Sequence, residues 1–83
     1  MIEFAHQIVD VEGLHARPVA QICAAARMWE SAVTVACGET STPATDLMGL
    51  MGLCARKGDE LVVRVEGTDE EACASALREV FTF

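Results

Sequence analysis

Residues 13–18, Gly-Leu-His-Ala-Arg-Pro, combine residue types that suit phosphate chemistry. Pro18 favours the first turn of a helix, because its φ is already near the helical value and its missing N–H is not needed there. His15 therefore lies at or just before a helix N-terminus, where free N–H groups and the helix dipole form an anion site. Arg17 adds a planar guanidinium suited to phosphate oxygens. The combination suggests a histidine that carries a phosphoryl group, although a cap or a solvated loop histidine fits the same spacing.

The segment after Pro18 has the spacing of an amphipathic helix. Its apolar residues recur at steps of three and four, which predicts a helix from about residue 16 to residue 28. These residues are Val19, Ile22, Cys23, Ala26 and Trp29. The helix would place His15 at its start, and Trp29 would cover the edge of the core.

Alternation of apolar and polar residues predicts four strands, at residues 2–8, 33–37, 40–42 and 60–65. Pro43 ends the third strand, and because proline cannot donate to a strand ladder, this strand is expected at a sheet edge. In the first strand, His6 shares its parity with the apolar residues. We interpret it as a half-buried histidine with a hydrogen-bond partner rather than a reactive group.

The last helix is predicted to begin near residues 68–71. Thr68 and Glu71 have capping-box spacing, and Asp69 is a competing cap. Its buried stripe would consist of Cys73, Ala76, Leu77, Val80 and Phe81. The predicted order is therefore β-α-β-β-α-β-α, an α+β fold in which helices cover one face of a largely antiparallel sheet.

Composition and charge restrict the classes of function. The 83 residues are expected to form one domain, residues 1–83, and six basic against thirteen acidic residues give a net charge of −7. This charge disfavours nucleic acid and anionic membranes as partners. With no apolar run of 18 residues and no signal-peptide pattern, we expect a cytoplasmic protein. The four cysteines lack metal-site spacing, so we expect reduced, structural cysteines and no bound metal.

A second informative segment, residues 45–53, lies between the third and fourth strands. Asp46 is a good N-cap for a short helix that is apolar nearly all round. Such a helix cannot bury all of its large apolar residues, because only one stripe faces the sheet. Those residues are Leu47, Met48, Leu50, Met51 and Leu53. The exposed ones predict an adaptable partner-binding patch, although a helix tucked under a neighbouring loop is the alternative.

Taken together, the motifs resemble the HPr family, the histidine-containing phosphocarriers of the phosphoenolpyruvate-dependent sugar phosphotransferase system. Three segments carry the likeness: G-L-H-A-R-P, then D-L-M-G-L-M-G-L starting 31 residues after the histidine, then R-K-G-D-E-L. The resemblance covers essentially the whole chain. It implies an open-faced β-sandwich, with a four-stranded, mainly antiparallel sheet covered on one face by three helices.

The resemblance also implies roles for individual residues. His15 would accept a phosphoryl group from enzyme I, at Nδ1, and pass it to sugar-specific enzyme IIA domains. Arg17 would orient the phosphate, and the helix N-terminus at Ala16, Arg17 and Pro18 would bind it. The partner-binding residues would be Ala20, Leu47, Met48 and Met51. Such a protein would be a monomeric carrier without a cofactor or turnover of its own.

Three features depart from the family pattern. Asp46 stands where many relatives have a serine that a kinase phosphorylates. It could be a fixed negative charge in an HPr-like regulatory protein that acts by binding other proteins, or only a helix cap. Cys54 stands where relatives often have glycine, which puts the exit from the short helix in doubt. The acidic composition leaves few candidates for a cationic rim: Arg17, Arg27, Arg56 and Lys57.

Overall fold

Strands and helices follow one another in the predicted order. The computed structural model describes all 83 residues. Its elements are β1 (Ile2–Gln7), α1 (Ala16–Ala26), β2 (Ala32–Cys37), β3 (Thr40–Pro43), α2 (Leu47–Gly52), β4 (Glu60–Glu66) and α3 (Glu70–Arg78). The longest helix, α1, has 11 residues, and no helix combines the length and hydropathy needed to cross a membrane.

The four strands form one antiparallel sheet in the order β1-β4-β2-β3. Val63 of β4 lies at its centre, opposite Phe4 of β1 and Val35 of β2. The strand β3 pairs only with β2 and ends at Pro43, so the predicted edge position is confirmed.

One face of the sheet is covered by the three helices, and the core lies between them. Its fully buried members include Val19, Ile22, Val35, Leu50, Leu61, Val63, Val65 and Leu77. Residues of α1 and α3 enter the core at steps of three and four, whereas those of β4 enter at every second position. The open-faced β-sandwich with one covered face is confirmed.

Two helix ends differ from the sequence prediction. The helix α1 ends at Ala26 rather than near Met28, because the Met28 amide donates to the Ala25 carbonyl, only three residues back, and so tightens the last turn. The capping box of Thr68 and Glu71 is wrong. One residue earlier, the Glu70 carboxylate accepts from the Gly67 amide at 3.2 Å instead.

The Asp69 side chain does not cap α3 either. It accepts hydrogen bonds from the Glu30 amide, at 3.0 Å, and from the amide and hydroxyl of Ser31. These hydrogen bonds, that of the Ser31 hydroxyl first, hold the pKa of Asp69 below its usual value. The start of α3 is thereby tied to the loop before β2.

Candidate functional site

His15 is the N-cap residue of α1, as its position before Pro18 predicted. Its backbone is extended, with φ −109° and ψ −174°, and its carbonyl accepts from the Val19 amide at 3.1 Å. The amides of Ala16 and Arg17 have no acceptor in the structure. Pro18 has no N–H and fixes the first turn instead. The helix start therefore offers two free amide donors, with the positive end of the dipole, beside the imidazole.

The loop that leads to His15 is fixed by backbone hydrogen bonds to two distant segments. The amides of Val9 and Asp10 both donate to the Phe83 carbonyl at 2.8 Å. The Leu14 amide donates to the Ala55 carbonyl at 3.0 Å. Between these bonds Gly13 has a φ of +66°, and a Cβ there would lie 2.6 Å from the Ala55 oxygen. Only glycine fits this close approach without moving the backbone.

Two carboxylates that were not predicted from the sequence flank the imidazole. His15 Nε2 lies 3.5 Å from Asp10 Oδ2, and His15 Nδ1 lies 3.5 Å from Glu12 Oε2. The imidazole side chain is 31% exposed, so a partner can reach it. The other oxygen of Asp10 accepts from the Glu12 amide at 2.9 Å. This hydrogen bond first, and the nearby His15 imidazole after it, lower the pKa of Asp10.

A sequence signal for this arrangement existed. An aspartate two residues before another loop residue often accepts that residue's amide, which turns its side chain back over the loop. Asp10 and Glu12 stand at that spacing, and Glu12 is three residues before His15.

The side chain of Arg17, the fifth residue of the motif at residues 13–18, is exposed and forms neither a hydrogen bond nor an ion pair. Its guanidinium is therefore free to bind an anion at the helix start. Arg27, by contrast, donates to the Thr45 carbonyl at 3.2 Å, and the Cys23 thiol donates to the same oxygen at 3.3 Å. These two contacts join α1 to the segment just before α2.

The short helix α2 has the predicted cap and a divided apolar surface. Asp46 Oδ1 accepts from the Gly49 amide at 3.0 Å, which caps the helix. Leu50 and Leu53 are buried, whereas Leu47, Met48 and Met51 are 44%, 76% and 39% exposed. We call these three residues the α2 apolar surface. Ala20, the α1 residue assigned to partner binding, is exposed as well.

The exit from α2, which Cys54 put in doubt, has the geometry that glycine usually supplies. Cys54 has a φ of +52°, and it is the only non-glycine residue with a positive φ in the chain. Its amide donates to the Met51 carbonyl at 3.3 Å, so the left-handed residue closes the helix. The chain keeps the turn despite the departure.

The second histidine, His6, is half-buried as predicted, but its Nε2 has no hydrogen-bond partner. Its ring packs edge-on against Phe83 and Phe81, with centroids 5.0 and 6.0 Å away. Burial is the main cause that lowers the pKa of His6, and a hydrogen bond with the Phe83 backbone opposes it.

Comparisons with known proteins agree with the fold and the motifs. Residues 2–82 match the family described as "PTS HPr component phosphorylation site". The phosphocarrier protein HPr of Lysinibacillus sphaericus is 35% identical over 75 residues, which cover 90% of this chain and 85% of the relative. HPr of Treponema pallidum is 36% identical with the same coverage.

Solved structures give the same result. The histidine-containing phosphocarrier protein of a mycoplasma superposes with a TM-score of 0.92 at 25% identity, covering 95% of this chain and 90% of the other. Crh of Bacillus subtilis, described as a catabolite repression protein, has a TM-score of 0.76 at 27% identity, covering 98% and 93%. With a family match over nearly its whole length and phosphocarriers among its relatives, the chain belongs to the HPr family of the phosphotransferase system.

Proposed function

We propose that this protein carries a phosphoryl group from enzyme I to sugar-specific enzyme IIA domains in the cytoplasm, on Nδ1 of His15. One observation carries the proposal: a partly exposed imidazole at the start of α1, beside two free backbone amides. Carrying is the role of its family, and transfer catalysed by its partners would require no turnover by the protein itself.

The chemistry needs little more than these groups. A neutral imidazole nitrogen attacks phosphorus, the N–P bond forms, and the bond to the donor's leaving atom breaks. Phosphoryl transfer depends mainly on positioning and on stabilising charge on the phosphoryl oxygens. The amides of Ala16 and Arg17 and the Arg17 guanidinium are the donors at the helix start that could bind these oxygens.

The α2 apolar surface would supply docking contacts for both partners. Met48 is the most exposed of its three residues, and methionine adapts to differently shaped surfaces. A carrier that serves a donor and several acceptors needs such an adaptable contact. The bonds of Cys23 and Arg27 to Thr45 would keep α2 in place beside α1.

A regulatory role, with Asp46 as a fixed negative charge, is the second candidate. It draws on Asp46 and on the structural likeness to Crh. The hydrogen bond from the Gly49 amide accounts for Asp46 as a helix cap without regulation. A protein that acted only by binding would have no need for a reactive imidazole beside free amides. These points favour the carrier.

The test is phosphorylation in solution. The purified protein is incubated with phosphoenolpyruvate and enzyme I, and its intact mass is measured before and after brief acid treatment. We expect one acid-labile phosphoryl group, absent in His15→Ala and retained in His6→Gln, the matched control on the other histidine. Adding an enzyme IIA domain should remove it. An unlabelled native protein, or label that persists in His15→Ala, would contradict the proposal.

A further inference from the structure

We propose that Asp10 is a positioning residue for His15. Its carboxylate holds the neutral imidazole in the tautomer that carries hydrogen on Nε2, which leaves the lone pair of Nδ1 free to attack phosphorus. This inference rests on the proposed function of His15 and adds the group that prepares the nucleophile.

The Asp10 side chain is anchored by its own loop. Its Oδ1 accepts from the Glu12 amide at 2.9 Å, which turns Oδ2 toward His15 Nε2 at 3.5 Å. The backbone of Asp10 is held as well, since its amide donates to the Phe83 carbonyl and its carbonyl accepts from the Gly13 amide. A distance of 3.5 Å is long for a hydrogen bond, but such bonds in unliganded sites commonly shorten when the reaction partner binds.

Glu12 is held far less firmly. Its side chain is 68% exposed, and its one charged contact is the 3.5 Å approach of Oε2 to His15 Nδ1. A neutral imidazole has a single N–H, so it can donate to only one of the two carboxylates. The anchored carboxylate of Asp10 is the better acceptor, because little conformational freedom is lost when it accepts. Glu12 then faces a lone pair and moves aside when a phosphoryl group approaches.

The transfer step balances without a proton leaving Nε2. The Nδ1 lone pair forms the N–P bond, and the electrons of the bond that breaks return to the donor's leaving atom. The ring now bears positive charge, and the Asp10 carboxylate stabilises it through Nε2–H. An aspartate that orients a histidine in this way, without taking its proton, is known from hydrolase triads. On transfer to the acceptor the same electrons move in reverse.

Asp10→Asn separates this role from simple loop structure. An asparagine has one carbonyl oxygen, and the Glu12 amide is there to occupy it. The side-chain NH₂ would then face Nε2 and favour the tautomer with hydrogen on Nδ1, the reacting nitrogen. Ring ¹⁵N chemical shifts report the tautomer directly, at a pH where the imidazole is neutral.

We expect native His15 to be the Nε2–H tautomer and Asp10→Asn to shift toward Nδ1–H. Phosphorylation by enzyme I and phosphoenolpyruvate should slow by roughly tenfold to a hundredfold, the factor expected for losing one hydrogen bond to a charged group. Glu12→Gln should keep the native tautomer. The matched control is Asp59→Asn, which alters another loop carboxylate that accepts a backbone amide, that of Arg56 at 2.9 Å, and should change neither readout.

The inference is overturned if native His15 is the Nδ1–H tautomer. It is also overturned if Asp10→Asn keeps the native tautomer, or if enzyme I phosphorylates Asp10→Asn at the native rate. The native tautomer is measured without enzyme I and without a variant, so this arm decides even if Asp10→Asn fails to fold. Failure of the carrier function would instead appear as a native protein that enzyme I does not label.

Discussion

Thr42 of β3 leaves no room for a side chain on Gly49 of α2, because a Cβ at Gly49 would overlap Thr42 Oγ1. Thr42 is buried, so its side chain has little space to move away. We expect Gly49→Ala to lower the free energy of unfolding by about 1–3 kcal/mol, the usual cost of overpacking. This should outweigh the gain of about 1 kcal/mol that alanine has over glycine in a helix.

Gly52 of the same helix is the matched control, since a Cβ there would meet nothing within 4 Å. Gly52→Ala should leave stability unchanged or raise it. In urea titrations, Thr42→Ala should recover part of the loss when it is combined with Gly49→Ala, because the overlapping hydroxyl is gone. Equal stabilities of Gly49→Ala and Gly52→Ala would show that the two elements do not pack this closely.

Cys54→Gly should stabilise the protein. The residue has a φ of +52°, a conformation that costs a residue with a Cβ about 1–2 kcal/mol and glycine very little. The greater freedom of glycine in the unfolded chain offsets part of this gain. We therefore expect a net rise of about 1 kcal/mol in the free energy of unfolding. Cys54→Ala keeps the Cβ and removes the thiol, so it should not stabilise. If both variants gain equally, the thiol rather than the backbone is the cause.

The burial of His6 predicts a loss of stability in mild acid. Its pKa is lower in the folded protein than the ordinary value of 6.5. The unfolded chain therefore binds more protons below about pH 6.5 than the folded chain, and stability falls as pH falls through that range. The stability that is lost in acid through His6 is therefore fully present at pH values above the ordinary pKa of histidine.

The measurement is the free energy of unfolding between pH 7.5 and 5 for the native protein and for His6→Gln, which cannot titrate. His15 is present in both proteins, so its contribution cancels in the difference. We expect a steeper fall for the native protein. Parallel curves would mean that the folded protein accommodates the charged ring at Nε2 without cost.

Asp46 should prove to be a cap and not a regulatory charge. Serine is also a good N-cap, so Asp46→Ser should unfold at nearly the native denaturant concentration, whereas Asp46→Ala should lose about 1 kcal/mol. Enzyme I should phosphorylate native protein and Asp46→Ser at equal rates. Faster labelling of Asp46→Ser would instead support the view that the carboxylate weakens docking.

Local patterns predicted most of the fold. The structure confirms three predictions that depend on near neighbours in the chain. These are the alternation in β1 and β4, the helical spacing after Pro18, and the edge position implied by Pro43. The cap at Asp46 was predictable for the same reason, since its partner Gly49 is three residues away. The element order also predicted helices on one face of the sheet, and the resemblance to HPr specified an open-faced β-sandwich of four strands and three helices.

The predictions that failed or were missed concern side chains whose contacts depend on distant parts of the chain. Asp69 had a local use as a cap, but Ser31, 38 residues earlier, binds its carboxylate instead. The environment of His6 depends on Phe81 and Phe83 at the other end of the chain. Asp10 and His15 are close in the sequence, but their contact needs the loop conformation that backbone hydrogen bonds to Phe83 and Ala55 fix. None of these contacts follows from spacing alone.

The acid residues beside His15 also bear on the choice of partners. Two carboxylates within 3.5 Å of the imidazole, on a chain of net charge −7, repel a protein whose binding face is acidic. A partner with a basic face is attracted and meets this carrier faster at low ionic strength. In a cell with several phosphorelays, carriers with a basic surface would be served by proteins with an acidic binding face. Like-charge repulsion would keep this carrier away from those proteins, so its phosphoryl groups would not cross into their relay.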